Sequence, residues 1–426
     1  MTLQQEPVAL EAFDPFGYET QQCPHQFYAR MREECPVFQH AATGMIFVTR
    51  YEDCLRILRD TTTFSSMFGF GNPADLGSAD QELAEAMEGG WPAVPTLLTN
   101  DPPGHDRMRR LVTKAFTPRQ VNKLEPGVRE VAESLVDAFI DDGQFEFVTQ
   151  FAVGVPVVTI ARALNVPSDR QADFKRWSDD ATVAIGAIVS RERMLESFRG
   201  IVEFQRYFAE ELVKREADPQ DDILTGLNQA RLEPEDGIAG GPLDIAEKLG
   251  IIQQLLVAGN ETTTKLLTEA IRLLAEHPDQ WQKLRADPSR ANAVVEECLR
   301  LATPTQGMFR VVTIDTQIGG VPVAQGSMVV VMFASANRDE ELFGEDADGF
   351  DPDRRNLAQH VAFGKGVHFC VGASLARLEA VCALQVLASR LETIELVDPG
   401  AIEYEPSFVL RGIKRLDLRF APAAKG

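Results

Sequence analysis

One helix constrains this chain more than any other segment. Asp244 followed three residues later by Glu247 is the pattern of a capping box, in which two side chains satisfy backbone N–H groups at a helix start. From Ile245 the apolar periodicity continues to Glu276, and His277-Pro278 ends it. At 1.5 Å per residue such a helix is about 48 Å long, enough to cross the whole molecule. Its centre, Ala258-Gly259-Asn260-Glu261-Thr262-Thr263-Thr264, is a poor helix former inside a good helix. Thr262 can return its hydroxyl to the Ala258 carbonyl and loosen the helix, while Gly259 removes bulk at the same level. Alone this reads as a tolerated kink. The Glu-Thr pair and the cysteine segment described below make it a candidate site.

The rest of the chain suits a mainly α protein with a small β portion. PVFQH and GMIFVTR (36–40 and 44–50) predict a hairpin, and 51–60 a helix packing through Leu55 and Leu58. From about 103 to 302 the pattern is nearly all helical. Strand-like runs follow Pro304, and β-rich portions are expected near 36–50, 308–333 and 394–420. The acidic stretch ELFGEDADGFDPDRRN reads as a long loop, and loops of that length inside compact domains are usually functional. A last helix is expected over 371–391. No repeat, low-complexity tract or linker divides the chain, so one domain over 1–426 is expected.

Charge and cysteine usage remove several classes of function. Forty-two Lys and Arg against 64 Asp and Glu leave a net charge of −22, which repels phosphate backbones and argues against nucleic acid as a partner. No apolar run approaches the roughly 18 residues of a membrane span, and the N-terminus lacks a signal-peptide layout. A soluble protein of the cytoplasm is expected. The cysteines, at 23, 35, 54, 298, 370 and 382, form no CxxC pair and read as separate thiols. Cys298 and Cys382 sit in helical patterns as small core residues.

Cys370 is different. Residues 361–378 read VAFGKGVHFCVGASLARL, in which Phe363, Gly364, Gly366, His368, Cys370 and Gly372 fit FGxGxHxCxG ahead of a helix. Such a loop presents one sulfur at a helix N-terminus, where backbone N–H groups and the dipole stabilise a thiolate. The glycines let a large flat group approach the backbone. A single thiolate without a second soft ligand suits the axial position of a haem iron better than tetrahedral zinc.

On these residues the chain resembles the cytochrome P450 family, the haem-thiolate monooxygenases, over essentially its whole length. The resemblance implies the P450 fold, with the long central helix crossing over haem b (iron protoporphyrin IX). FGKGVHFCVG is similar to the family's haem-binding loop, which implies Cys370 as proximal ligand, Phe363 as the ring shielding it and Gly364 against the haem. AGNETT at 258–263 is similar to the distal motif, with Ala258 and Gly259 facing the haem and Glu261 and Thr262 as the acid–alcohol pair. Glu297-Cys298-Leu299-Arg300 matches ExxR and implies a structural ion pair. Haem propionates need neutralising where they are buried. His105 and Arg109, four residues apart on one helix face, resemble the propionate-binding HxxxR, and Arg310 and His368 match the other propionate donors. The chain departs from the family in one place: Gly349 stands where many members carry the arginine that completes the ExxR network. Arg354 or Arg355 could reach back instead.

The implied reaction inserts one atom of O2 into a C–H bond of a hydrophobic small molecule. In it the thiolate favours O–O cleavage, Thr262 hydrogen-bonds at the oxygen site and Glu261 links that site to solvent. Electrons are expected from a separate ferredoxin and an NAD(P)H-dependent ferredoxin reductase, since the sequence shows no flavin segment or cluster-type cysteine spacing. Such carriers are usually acidic, so Arg107, Arg110, Lys114, Arg119, Lys365 and Arg377 are candidates for a local basic patch. A monomer is expected. Leu97, Leu98, Ala258, Thr305, Met308 and Phe309 are expected on the distal side, where they could line a site for a fatty acyl chain, a terpenoid, a steroid or an aromatic. Two other classes share the cysteine loop: a peroxide-driven peroxygenase, which would not need Glu261-Thr262, and a haem-binding sensor without turnover.

Overall fold

The capping box forms as the sequence predicts. Glu247 N–H donates to Asp244 Oδ1 and Asp244 N–H to Glu247 Oε2, both at 2.8 Å. From this cap one helix runs Ile245–Glu276, and Pro278 opens the next helix beyond it. The computed structural model describes residues 9–68, 81–183, 189–232, 234 and 240–424, and the side chain of Lys114 lies outside the described set. Helices Gly154–Ala163, Gln171–Val183, Ala291–Ala302 and Ala373–Arg390 pack around the long helix, which is therefore apolar on most of its circumference. The weak central string does not interrupt it. Thr262 Oγ1 donates to Ala258 O at 2.7 Å within a continuous helix.

Among the described residues there are four sheets, two of them only two-stranded. The larger of the other two has the order Val37–Gln39, Ile46–Val48, Met328–Val331, Met308–Val312, Phe64–Ser65. The expected hairpin supplies its first two strands, with Val37 opposite Val48. Met328–Val331 then runs parallel to the second strand and antiparallel to Met308–Val312. The smaller sheet joins Leu391–Leu396, Asp417–Pro422 and Gln144–Glu146. That last strand interrupts the stretch expected to be nearly all helical. Three residues are too few for a periodic signal, and the pairing partner lies some 270 positions away in sequence, at Asp417–Arg419. Among the described residues no helix is long and apolar enough to cross a membrane.

The acidic meander is held by buried charge. Arg300 Nε and Nη2 donate to Glu297 Oε2 and Oε1 at 2.7 Å each, with both side chains fully buried. The other guanidinium hydrogens reach Asn337 O (2.9 Å), Ala347 O and Gly349 O (3.0 Å). Gly349 therefore serves through its carbonyl. A Cβ there would lie 2.3 Å from Asp346 Oδ1, so a side chain at 349 would displace Asp346. Arg354 takes the missing arginine's place: it donates to Phe343 O and Asp346 O at 2.7 Å each and lies 3.6 Å from Glu297 Oε1. Arg355 is exposed.

Arg354→Ala should cost about 3 kcal/mol, because it removes charged hydrogen bonds to meander carbonyls and a cation beside the fully buried Glu297 carboxylate. Arg355→Ala should stay within about 0.5 kcal/mol of the parent. Denaturant unfolding followed by circular dichroism separates the two, and equal effects would remove Arg354 from the anchor.

Candidate active site

The cysteine segment turns twice before its helix begins. Gly364 and Gly366 have φ of +66° and +71°, the left-handed region that favours glycine. A Cβ on Gly366 would also lie 2.4 Å from Leu58 O, so only glycine lets the loop pass the helix Tyr51–Arg59. Cys370 N–H donates back to Phe363 O at 2.9 Å and closes the turn. The helix Ala373–Arg390 follows, close to the expected limits. Burial pushes the Cys370 thiol up, while the Gly372 amide, Arg109, Arg377 and the Ala373 amide pull it back without reversing the shift. The helix terminus alone does not make a thiolate here. Binding to a metal ion would, since a coordinated thiol is deprotonated outright. Among the described residues no group of three or more His, Cys, Asp and Glu is placed to share a metal. Phe363 lies under the Arg377 guanidinium, 4.6 Å from ring centre to charge.

Cys370 opens into a cavity of about 310 Å3 with mostly apolar walls. Ala258, Gly259 and Thr262 of the long helix line it, with Leu97, Leu98, Thr305 and Met308, and so do Phe363, Gly364, His368, Arg109 and Arg310. A Cβ on Gly259 would meet no protein atom closer than Ile160 Cγ1 at 3.9 Å. This glycine is therefore not required for packing of the protein against itself. It leaves room in the cavity.

Three expected residues do not line the wall. Phe309 is buried in an aromatic cluster, with its ring 5.6 Å from Phe68 and 6.1 Å from Phe408. Alternation along a strand sends Met308 and Arg310 to one face and Phe309 to the other, so the expectation for Phe309 is corrected. Glu261 Oε2 instead accepts from Lys265 Nζ at 2.9 Å. His105 lies behind the wall, fully buried, with its ring 4.2 Å from that of His368. Its Nδ1 pairs with Asp106 Oδ1 at 2.8 Å, and its Nε2 has no hydrogen-bond partner among the described residues.

A buried arginine, a half-buried one and a histidine mark one side of the cavity. Arg310 is 3% exposed, and its Nη1 donates to the neighbouring Phe309 carbonyl at 2.7 Å. Burial lowers it to about 10, with the Asp101 charge only partly offsetting this. Burial also lowers Arg109, against the Cys370 and Asp106 charges, and its Nη2 donates to Phe369 O. His368 has partners at both ring nitrogens, Leu97 O at 3.2 Å from Nδ1 and Ser66 Oγ at 3.0 Å from Nε2. Burial first, then Arg310 and His105, hold it down to about 4. It is neutral, with its N–H directed to Leu97.

Of the basic residues expected at the surface, Arg107 is buried, which corrects that expectation: it lies about 200° around the helix Gly104–Ala115 from His105, and both of those faces are covered. Arg377 is paired with Glu296 at 2.6 Å. Arg110 and Arg119 are exposed, and Lys365 is half-buried.

The comparisons with known proteins agree with this geometry. The family model for cytochrome P450 matches residues 187–420. Cytochrome P450 107B1 of Saccharopolyspora erythraea is 34% identical over 98% of this chain and 99% of its own. Linalool 8-monooxygenase of Pseudomonas putida is 31% identical over 95% and 97%. The solved structure of cytochrome P450 CYP109Q5 from Chondromyces apiculatus superposes with a TM-score of 0.84, at 37% identity, over 98% of this chain and 100% of that one. This chain belongs to the cytochrome P450 family. It is a haem-thiolate monooxygenase, an oxidoreductase that acts on a substrate with O2 and electrons from redox partners. The residues present fit the haem: among the described residues the buried His105 Nε2 has no hydrogen-bond partner and the buried Arg310 pairs with no carboxylate, which suits a dianionic group, and the Cys370 sulfur faces a glycine-cleared cavity.

The sequence reading passed over Glu379. It lies nine residues beyond Cys370, is 2% exposed, lines the cavity and pairs with Thr263. Its signal was visible as an acid among the apolar residues of the last helix. Burial pushes it up to about 8, so the folded protein holds it protonated at neutral pH. Stability from this group is complete below the unfolded value near 4.5 and is lost as pH rises through about 8. Glu379→Gln, neutral at every pH, should therefore gain thermal stability relative to the parent between pH 5 and 8. An equal difference at both ends would show that Glu379 titrates normally.

Proposed function

We propose that the Cys370 sulfur would bind the iron of haem b (iron protoporphyrin IX) and that His105, Arg109 and Arg310 would neutralise its propionates. One observation carries the reading: the Cys370 sulfur and the Thr262 level of the long helix border the same apolar cavity. His368 supports this side chiefly as wall and spacer, because its ring nitrogens already have partners. Phe363 shields the sulfur, and Gly364 and Gly259 give the flat group its clearance.

When bound, the haem supplies the oxygen activation that inserts one atom of O2 into a C–H bond. The protein excludes water, orients the substrate and moves protons. Thr262 holds a proton at Oγ1 beside the cavity, donated at present to Ala258 O at 2.7 Å, and delivering it to the cavity means leaving that acceptor. Glu261, on the next position, is the carboxylate nearest in sequence that can return a proton to Thr262. Leu97, Leu98, Ala258, Thr305 and Met308 would hold a hydrophobic small molecule. The walls suit a terpenoid, as in the name of the linalool-oxidising relative, or a fatty acyl chain. A separate ferredoxin with its NAD(P)H-dependent reductase supplies the electrons in this reading, docking where Arg110, Arg119 and Lys365 meet the cysteine loop, and the protein acts as a monomer.

Reduced protein saturated with carbon monoxide should show a Soret band shifted far to the red, and Cys370→Ser should lose it. A histidine-type band in the parent would overturn the ligand assignment. With linalool or dodecanoic acid as probe, whichever perturbs the Soret band, Thr262→Ala should keep its haem and send most electrons to peroxide. Product formation still coupled to NAD(P)H in that variant would remove Thr262 from the proton path.

A further inference from the structure

Lys265 stands one turn beyond Glu261 on the long helix and is only 4% exposed. A lysine in such a place needs an anionic partner, because desolvation drives an ammonium toward its neutral form. Lys265 has two. Its Nζ donates to Glu261 Oε2 at 2.9 Å and to Glu405 Oε2 at 2.6 Å. Burial works against the charged form, and the two carboxylates outweigh it, so the ammonium is retained. The stem is fitted as closely as the head: a Cβ on Gly412 would lie 2.4 Å from Lys265 Cγ.

Glu405 belongs to a loop with its own ties to the cavity. Its N–H donates to Gly412 O at 2.9 Å, and Tyr404 bridges Ile413 next to it. Farther along, Leu410 bridges Thr305, and Leu410 and Thr305 both line the cavity. Glu405 is 44% exposed and Glu261 16%, so the outer carboxylate can be changed without opening the core.

We propose that Lys265 is a positioning residue for Glu261, holding its carboxylate outside the cavity wall, and that Glu405 shares the ammonium and so sets how firmly it is held. The proposal rests on the proton-relay reading of Glu261. An ammonium divided between two carboxylates holds each less firmly than it would hold one alone. Glu261 must leave Lys265 to reach Thr262, so losing Glu405 tightens the grip on the relay group.

The test uses the haem-loaded protein with a surrogate ferredoxin, its reductase and NADH, without added substrate. Glu405→Gln should slow NADH consumption about three- to five-fold, the size expected from strengthening one partly exposed ion pair, and should raise the solvent isotope effect. In a Glu261→Gln background the same change should do nothing further. A loss of equal size in that background would overturn the proposal, because Glu405 would then act without Glu261. If Glu261→Gln itself leaves the rate and the isotope effect unchanged, the relay reading fails. The positioning part is then decided by thermal unfolding: Glu261→Gln and Glu405→Gln should be non-additive with Lys265 present and additive with Lys265→Met. Additivity with Lys265 present, or a Lys265→Met protein that keeps the same non-additivity, would overturn it.

Discussion

Glu297 and Arg300 are both completely buried, and either one without the other would leave an uncompensated charge in the core. Their bidentate pair satisfies the carboxylate, and the remaining guanidinium hydrogens are met by carbonyls from Asn337, Ala347 and Gly349. Asp351 N–H closes the last position on Glu297 Oε1 at 2.9 Å. A stretch of irregular chain is thus fixed in place by one charge pair. That stretch leads into the cysteine loop, so the placement of Cys370 depends on a pair that takes no part in chemistry.

The cavity inverts the charge balance of the molecule. The whole chain carries −22, yet one wall of the cavity has Arg109 and Arg310 with His105 behind it. A buried guanidinium such as Arg310, which pairs with no carboxylate among the described residues, is costly, and such a cost persists where a ligand offsets it. The long helix supplies the opposite side with small and hydroxyl-bearing residues. A flat dianion between the two sides would relieve the charged wall and use the clearance left by the small one.

Much of this was legible in the residues, and the exceptions have physical causes. The capping box, the hairpin and the cysteine turn are local patterns, set by backbone N–H satisfaction, alternation and left-handed glycines. Phe309 was misjudged because a strand exposes alternate residues to opposite faces, and the motif placed the segment without giving its phase. Arg107 shares a helix with His105 and Arg109, and its inward direction depends on packing against that helix. Glu261 was legible as an acid beside Thr262. Its pairing with Lys265 and Glu405 was not, because Glu405 lies 140 positions along the chain.

By itself the sequence determined the family and the extent of the long helix, and it singled out the cysteine and the basic residues proposed to hold an anionic flat cofactor. The helix and the cysteine turn depend on spacing within one segment, where covalent geometry fixes the relations between side chains. Only the tertiary structure decided which of two arginines replaces the missing one at Gly349, that Glu379 is a buried protonated acid in the cavity wall, and where Glu261 finds its partner. Those are questions of burial and of distance between remote segments. A carboxylate has the same sequence letter in water and in a core, and only packing decides which of the two it meets.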